Sequence, residues 1–123
     1  MSDPWPTELR VSSDRAQLNV TFDNGAAFQL PAEMLRVLSP SAEVQGHGPG
    51  QKVTVPGKRH VGIATVTPTG NYAVRIGFDD GHDSGIFTWP YLRELGVDGE
   101  ALFAGYERDL AEKGLSRDGM FKT

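Results

Sequence analysis

One pattern occurs twice in this chain and limits what it can fold into. Phe78-Asp79-Asp80-Gly81 is followed by Ile86-Phe87-Thr88, then by Trp89-Pro90 and Leu92-Arg93. Earlier, Phe22-Asp23-Asn24-Gly25 is followed by Phe28-Gln29-Leu30-Pro31 and then Leu35-Arg36. Each unit reads as a strand, an acidic turn closed by glycine, a returning strand and a short helix opened by proline. The turns carry the reading, since Asp, Asn and Gly tolerate the positive φ that a tight hairpin requires. Proline suits the first turn of a helix, where its missing N–H has no partner to lose.

The remaining segments fit around these two units. Glu8 to Ser12 and Ala16 to Phe22 alternate polar and apolar residues, as half-buried strands do, with Ser13-Asp14-Arg15 as the turn between them. Ala26 to Leu30 returns, and Pro31 opens a helix with Met34, Leu35 and Leu38 on its apolar face, ending at Ser39-Pro40. Residues 41–59 hold four glycines and two prolines and read as an irregular loop, with Val53-Thr54-Val55 as a short strand inside it. His60 to Val66 and Tyr72 to Phe78 are β-branched or alternating and make central strands, joined by a turn over Thr67 to Asn71. Ser84 to Thr88 pairs back on them. A second short helix runs from Pro90 to Leu95 and is closed by Gly96. Leu102, Phe103, Tyr106 and Leu110 form the stripe of a longer helix over residues 98–113, and the tail 114–123 reads as frayed. Strands with segregated helices specify an α+β domain built on a small, mainly antiparallel sheet of five to seven strands, with two short helices and a longer C-terminal helix. The 123 residues form a single domain on this reading.

Composition removes several function classes. Without any cysteine there is no disulfide, thiolate metal site or cysteine nucleophile. A net charge of −4 with scattered Lys and Arg gives no footprint for nucleic acid or an anionic membrane, the one local basic grouping being Lys52, Lys58 and Arg59. No run of 18 apolar residues occurs and no leader pattern opens the chain, so the expected location is cytoplasmic.

Gly46 to Lys52 lacks the phosphate-loop spacing, and Val53 stands where Ser or Thr is needed. Asp79, Asp80 and Asp83 lack the spacing of a calcium loop, and a hairpin turn with solvated carboxylates accounts for them. No serine sits in a Gly-x-Ser-x-Gly elbow. His60 precedes a strand and reads as an exposed loop residue. His47 and His82 each lie in a glycine-flanked loop, and they are either solvated or, if the fold joins them, a shared site.

Several of these motifs together carry a resemblance: Phe22-Asp23-Asn24-Gly25, Leu35 to Val44, Gly46-His47-Gly48-Pro49-Gly50, Gly70-Asn71-Tyr72-Ala73 and Asp80 to Ile86. Over about residues 7–96 the chain resembles the family called domain of unknown function 971, or the N-terminal-like domain of gamma-butyrobetaine hydroxylase. In the hydroxylases this domain resembles, a zinc ion is held by the three cysteines of a Cys-Pro-Cys-x-x-Cys segment and by the histidine of Asp-Gly-His. Here Ser39-Pro40-Ser41-Ala42-Glu43-Val44 and His82 occupy those positions, so Ser39, Ser41 and Val44 replace the thiolates. A serine hydroxyl is a poor zinc ligand at neutral pH and valine is none. The resemblance implies that the Ser39–Val44 segment lies beside His82. A nitrogen–oxygen site for iron or zinc would then draw on His82, His47, Glu43, Asp80 and Asp83.

Oxygenase activity is not implied, because that chemistry belongs to a separate, larger domain. Similar domains are fused to Mrp/ApbC-type P-loop ATPases that carry iron–sulfur clusters, which implies a role by association. The leading reading is a non-catalytic binding or adaptor domain with no cofactor of its own, acting on a protein partner of that ATPase type in metal or iron–sulfur handling. The alternatives are a small divalent-metal protein or enzyme using His47 and His82, and a structural subunit that packs through its long helix. The oligomeric state stays open.

Overall fold

The structure is a computed structural model, which describes residues 4–46 and 52–119. Six strands, β1 (Pro6–Val11), β2 (Gln17–Phe22), β3 (Ala27–Pro31), β4 (Ile63–Thr69), β5 (Ala73–Phe78) and β6 (Gly85–Thr88), accompany three helices, α1 (Ala32–Val37), α2 (Ala42–Gln45) and α3 (Trp89–Glu112). The α+β reading holds. The strands, however, form two antiparallel sheets of three, β1-β2-β3 and β4-β5-β6, where one sheet of five to seven was expected. The chain leaves the first sheet through α1 and α2, and β4, when it begins at Ile63, pairs with β5. A backbone bond bridges the gap, from Ile63 N–H to the Arg15 carbonyl at 2.9 Å, and Arg15 has a left-handed φ of 61°. The Arg15 guanidinium also donates to the carbonyls of Ile63 and Ala64.

Alternation decides which face each sheet buries. Leu18, Val20 and Phe22 of β2 point inward while Gln17, Asn19 and Thr21 face outward, and Val74, Ile76, Phe78 and Phe87 cover the inner face of the second sheet. Leu35 of α1 and Leu92, Leu95, Tyr106 and Leu110 of α3 complete one core.

Several expected boundaries shift for identifiable reasons. The helices expected over 90–95 and 98–113 are one helix, Trp89–Glu112, capped by the Thr88 hydroxyl, which accepts from Tyr91 N–H at 3.3 Å. Gly96 does not end it. Its missing side chain lets α3 lie against the Phe28 ring, which an added Cβ would penetrate. Strand β4 runs on to Thr69, and Pro68 is tolerated because β4 is an edge strand. Val53 to Val55 form no strand but are tied down by Val53 N–H to the Val44 carbonyl and by the Tyr106 hydroxyl to the Val55 carbonyl. The tail expected to fray is bonded as far as residue 119. Gly57 N–H donates to Ser116 and Arg59 N–H to Arg117, while the Arg117 guanidinium grips the buried Glu33 carboxylate at 2.5 and 2.7 Å. Among the described residues no helix is long and apolar enough to cross a membrane.

Candidate functional site

The turn between β5 and β6 places His82. Gly81, at φ 93°, reverses the chain; Gly81 N–H donates to the Phe78 carbonyl and Phe78 N–H to the His82 carbonyl. The Asp80 carboxylate secures the turn, accepting from His82 N–H at 3.0 Å through one oxygen and from Arg36 Nε at 2.8 Å and Lys58 Nζ at 2.6 Å through the other. Burial by itself would raise the pKa of Asp80, but the Lys58 ammonium, the His82 N–H and the Arg36 guanidinium outweigh it and hold the carboxyl down at about 2. Asp80 is therefore fully charged at neutral pH and committed to two cations.

The facing wall is the segment after α1. The Tyr91 hydroxyl donates to the Leu38 carbonyl, and Gln45 Nε2 donates to the Ser39 carbonyl at 2.8 Å. Burial first and the charge of Glu94 second push Tyr91 up to about 12, so it keeps the proton it donates. Pro40 directs the chain into α2, for which Ser41 is the N-terminal flanking residue. Gly85 on β6 allows this approach, since a Cβ there would run into Ser39 Oγ.

These walls enclose the imidazole, whose side chain is only 3% exposed. Nδ1 lies 2.9 Å from Glu43 Oε2, and Nε2 lies 3.1 Å from Ser39 Oγ and 3.4 Å from Ser41 Oγ. A carboxylate only accepts, so in the neutral ring Nδ1 carries the hydrogen and Nε2 accepts from a serine hydroxyl. Ser39 Oγ accepts in turn from Ser41 N–H at 3.3 Å, and the second Glu43 oxygen accepts from the Ser84 hydroxyl at 3.2 Å. The order carboxylate, imidazole, hydroxyl is the connectivity of a hydrolytic triad. Ser39, however, is wholly buried, and neither a groove between β3 and α3 nor a smaller hollow beside residues 57–61 is lined by Ser39 or His82.

The structure thus brings His82, Glu43, Ser39 and Ser41 together. Val44, on α2, is itself buried, at 1% exposure. Asp80 supports the His82 backbone but turns its other oxygen to Arg36 and Lys58, and Asp83 is exposed. His47 lies outside the described residues. Among the described residues no group of three or more His, Asp or Glu is arranged to hold a metal ion. The donor set also does not suit a thiolate-type zinc site, because both ring nitrogens are engaged and the other three positions offer two neutral hydroxyls and an isopropyl group. Sequence reasoning missed Ser84, Gly85, Gln45, Arg36 and Lys58. The Arg36–Asp80 contact spans 44 residues and has no local signal.

The family model described as gamma-butyrobetaine hydroxylase-like, N-terminal, matches residues 9–93, well over half of the chain. The chain belongs to this family. Among solved structures, a protein determined by NMR in solution is 45% identical, with a TM-score of 0.81 over 95% of this chain and 92% of that one. A second NMR structure is 42% identical, with a TM-score of 0.81 over 99% and 91%. A crystal structure of a protein with unknown function from Acidithiobacillus ferrooxidans ATCC 23270, of the DUF971 family, is 40% identical, with a TM-score of 0.64 over 77% of this chain and 98% of that one. No curated protein matches. In this gamma-butyrobetaine hydroxylase-like N-terminal domain, the hydroxyls of Ser39 and Ser41 stand opposite the His82 turn.

Proposed function

We propose that this domain is a non-catalytic, cytoplasmic binding module that acts on a protein partner in metal or iron–sulfur handling. The observation that supports this most is the closure of the His82 cluster. Its nucleophile-like hydroxyl is wholly buried and both imidazole nitrogens are spent on Glu43 and the serines, so the cluster pins the Ser39–Gln45 segment to the β5–β6 turn. Only its outer rim, Glu43 with Asp83 and Ser84, meets solvent. The fusion of similar domains to Mrp/ApbC-type ATPases supports a partner of that type. Calorimetric titration of a purified Mrp/ApbC-type ATPase with this chain tests the reading. A Kd near or below about 10 µM, roughly 7 kcal/mol, is expected; absence of heat and of co-migration at tenfold higher concentration would remove the partner.

A second reading, a nitrogen–oxygen site for iron or zinc that adds His47, is favoured by one observation, the 2.9 Å contact of Glu43 with His82 Nδ1. Titrating chelator-stripped protein with Fe(II) and Zn(II) addresses it. No heat and an unchanged melting temperature would sink it.

A further inference from the structure

Strand β3 lies at the outer side of the first sheet, and every one of its residues lines an open groove. In an antiparallel pair, residues that exchange both backbone hydrogen bonds with the neighbour alternate with residues whose N–H and C=O point away from it. Phe22 N–H donates to the Ala26 carbonyl at 2.8 Å and Ala32 N–H to the Ala16 carbonyl at 2.7 Å. Carried along the β2–β3 register, this places Phe28 and Leu30 among the bonded residues and Ala27 and Gln29 among those facing outward. The N–H and C=O of Ala27 and of Gln29 therefore point out of the sheet, and among the described residues no backbone group pairs with them. An edge strand left in this state is a template for another strand.

The groove has a volume of about 950 Å³, and its other wall is α3 from Leu95 to Glu107. Phe28 and Phe103, both half-buried, give it an apolar floor. Its rim carries the exposed Glu8, Glu100 and Glu107, none of them in an ion pair among the described residues, against the exposed cation Arg10. Arg117, also on the rim, is taken up by Glu33.

We propose that this groove binds an extended, basic segment of a partner protein, which adds to β3 as a fourth strand. Main-chain hydrogen bonds to Ala27 and Gln29 hold the segment, and Glu100 and Glu107 on α3 select for Lys or Arg at positions facing them. A second copy of this chain does not fit. Pairing β3 with its own copy about a twofold axis would set the two glutamate rims against each other, and Ala27–Pro31 contains no cation to offset them. The proposal rests on the partner-binding reading above and names the surface and chemistry for it.

The test uses the whole chain, uniformly ¹⁵N-labelled, with two end-capped hexapeptides, Lys-Val-Lys-Ile-Arg-Val and Glu-Val-Glu-Ile-Glu-Val. The basic peptide is expected to slow hydrogen exchange at the amides of Ala27 and Gln29 by about tenfold or more, and the acidic one to leave it unchanged. Gln29→Pro removes one outward N–H, and an edge position accepts proline, so this variant should keep its fold and lose the protection at Ala27. The double variant Glu100→Lys/Glu107→Lys leaves β3 intact and should weaken binding of the basic peptide by about tenfold. Protection by neither peptide, or by both equally, overturns the proposal. So does protection already present without peptide that grows with protein concentration, which would mean self-pairing. If the peptide protects these amides while the ATPase fails to bind, the identity of the partner falls and the groove stands. If the ATPase binds Gln29→Pro as tightly as wild type, the groove is not its contact.

Discussion

Replacing Ser39, Ser41 and Val44 together by cysteine should turn the His82 cluster into a zinc site, and the geometry sets how well. With Zn–S near 2.3 Å and Zn–N near 2.0–2.1 Å, a tetrahedral centre needs each sulfur about 3.6 Å from the ligating nitrogen. Ser39 Oγ and Ser41 Oγ already stand 3.1 and 3.4 Å from His82 Nε2, so two of the three new ligands need to retreat by only a few tenths of an ångström. Val44, buried at 1% exposure on the short helix α2, is the third residue replaced. The partner on the far side of the ring is in place as well. Glu43 at 2.9 Å from Nδ1 fixes the tautomer that presents Nε2 to a metal, as the outer partners of zinc-bound histidines do. Structural zinc sites bind with about 10–16 kcal/mol near neutral pH, so an apparent Kd of about 50 nM or below is expected for the triple variant. Zinc at a thousandfold excess over that Kd should then add about 4 kcal/mol to its stability. Cobalt(II) substitution gives the direct readout, through tetrahedral ligand-field and thiolate charge-transfer bands that disappear when zinc competes. A triple variant that folds but takes up zinc no more tightly than wild type would refute the reading of the His82, Ser39 and Ser41 cluster as a ready zinc-site geometry.

Four further perturbations probe the same framework. His82→Ala should lower stability by about 2–4 kcal/mol, from the cavity and from the buried Ser39 hydroxyl left without its acceptor, whereas Glu43→Gln, at an exposed carboxylate, should cost under about 1 kcal/mol in urea melts. Asp80 has a folded pKa of about 2 against 3.8, so its contribution is present above about pH 4 and is lost as pH falls through the folded value. The stability gap between wild type and Asp80→Asn, on the order of 1–2 kcal/mol at pH 6, should therefore shrink to a small fraction by pH 2, and a gap constant over that range would contradict the ion-pair assignment. Gly96→Ala should destabilise by about 1–3 kcal/mol because its Cβ enters the Phe28 ring, while Gly105→Ala, whose Cβ meets only Arg108 Nη2 at 3.6 Å, should stabilise α3 by up to about 1 kcal/mol in thermal melts. Arg117→Ala leaves Glu33 buried without its guanidinium and should cost about 3 kcal/mol, measured by calorimetry.

Much of the fold could be read locally. Six strands stand close to where alternation and the Asp-Asn-Gly and Asp-Asp-Gly turns put them, because the hairpins that join them are closed by adjacent residues. What could not be read depends on distant partners. Gly96 carries the local signature of a helix stop, but the side chain that decides its role, Phe28, lies 68 residues away. The tail from Gly114 to Gly119 has the composition of a loose end and is held by Glu33 on α1 and by the backbone of residues 57–59. At the candidate site, the family pattern juxtaposed Ser39, Ser41 and His82, whereas the roles of Glu43 and Asp80 had to come from geometry. Both are acidic and near glycine, yet one meets the imidazole and the other is claimed by Arg36 and Lys58.

The division into two sheets bears on how the chain reaches this structure. Each sheet is drawn from one unbroken run of chain, a meander of hairpins, so its pairing requires only short loops to close. Either meander can form before the other and remains an exposed half-core until α3 arrives to cover it. Among the described residues the longest closure by a hydrogen bond is the clasp of Arg117 on Glu33, 84 residues apart, and it brings together segments that both hairpin systems must already have positioned. On that ordering the clasp belongs to the native side of the folding barrier. Loosening it should leave the rate of folding nearly unchanged and appear almost wholly as faster unfolding.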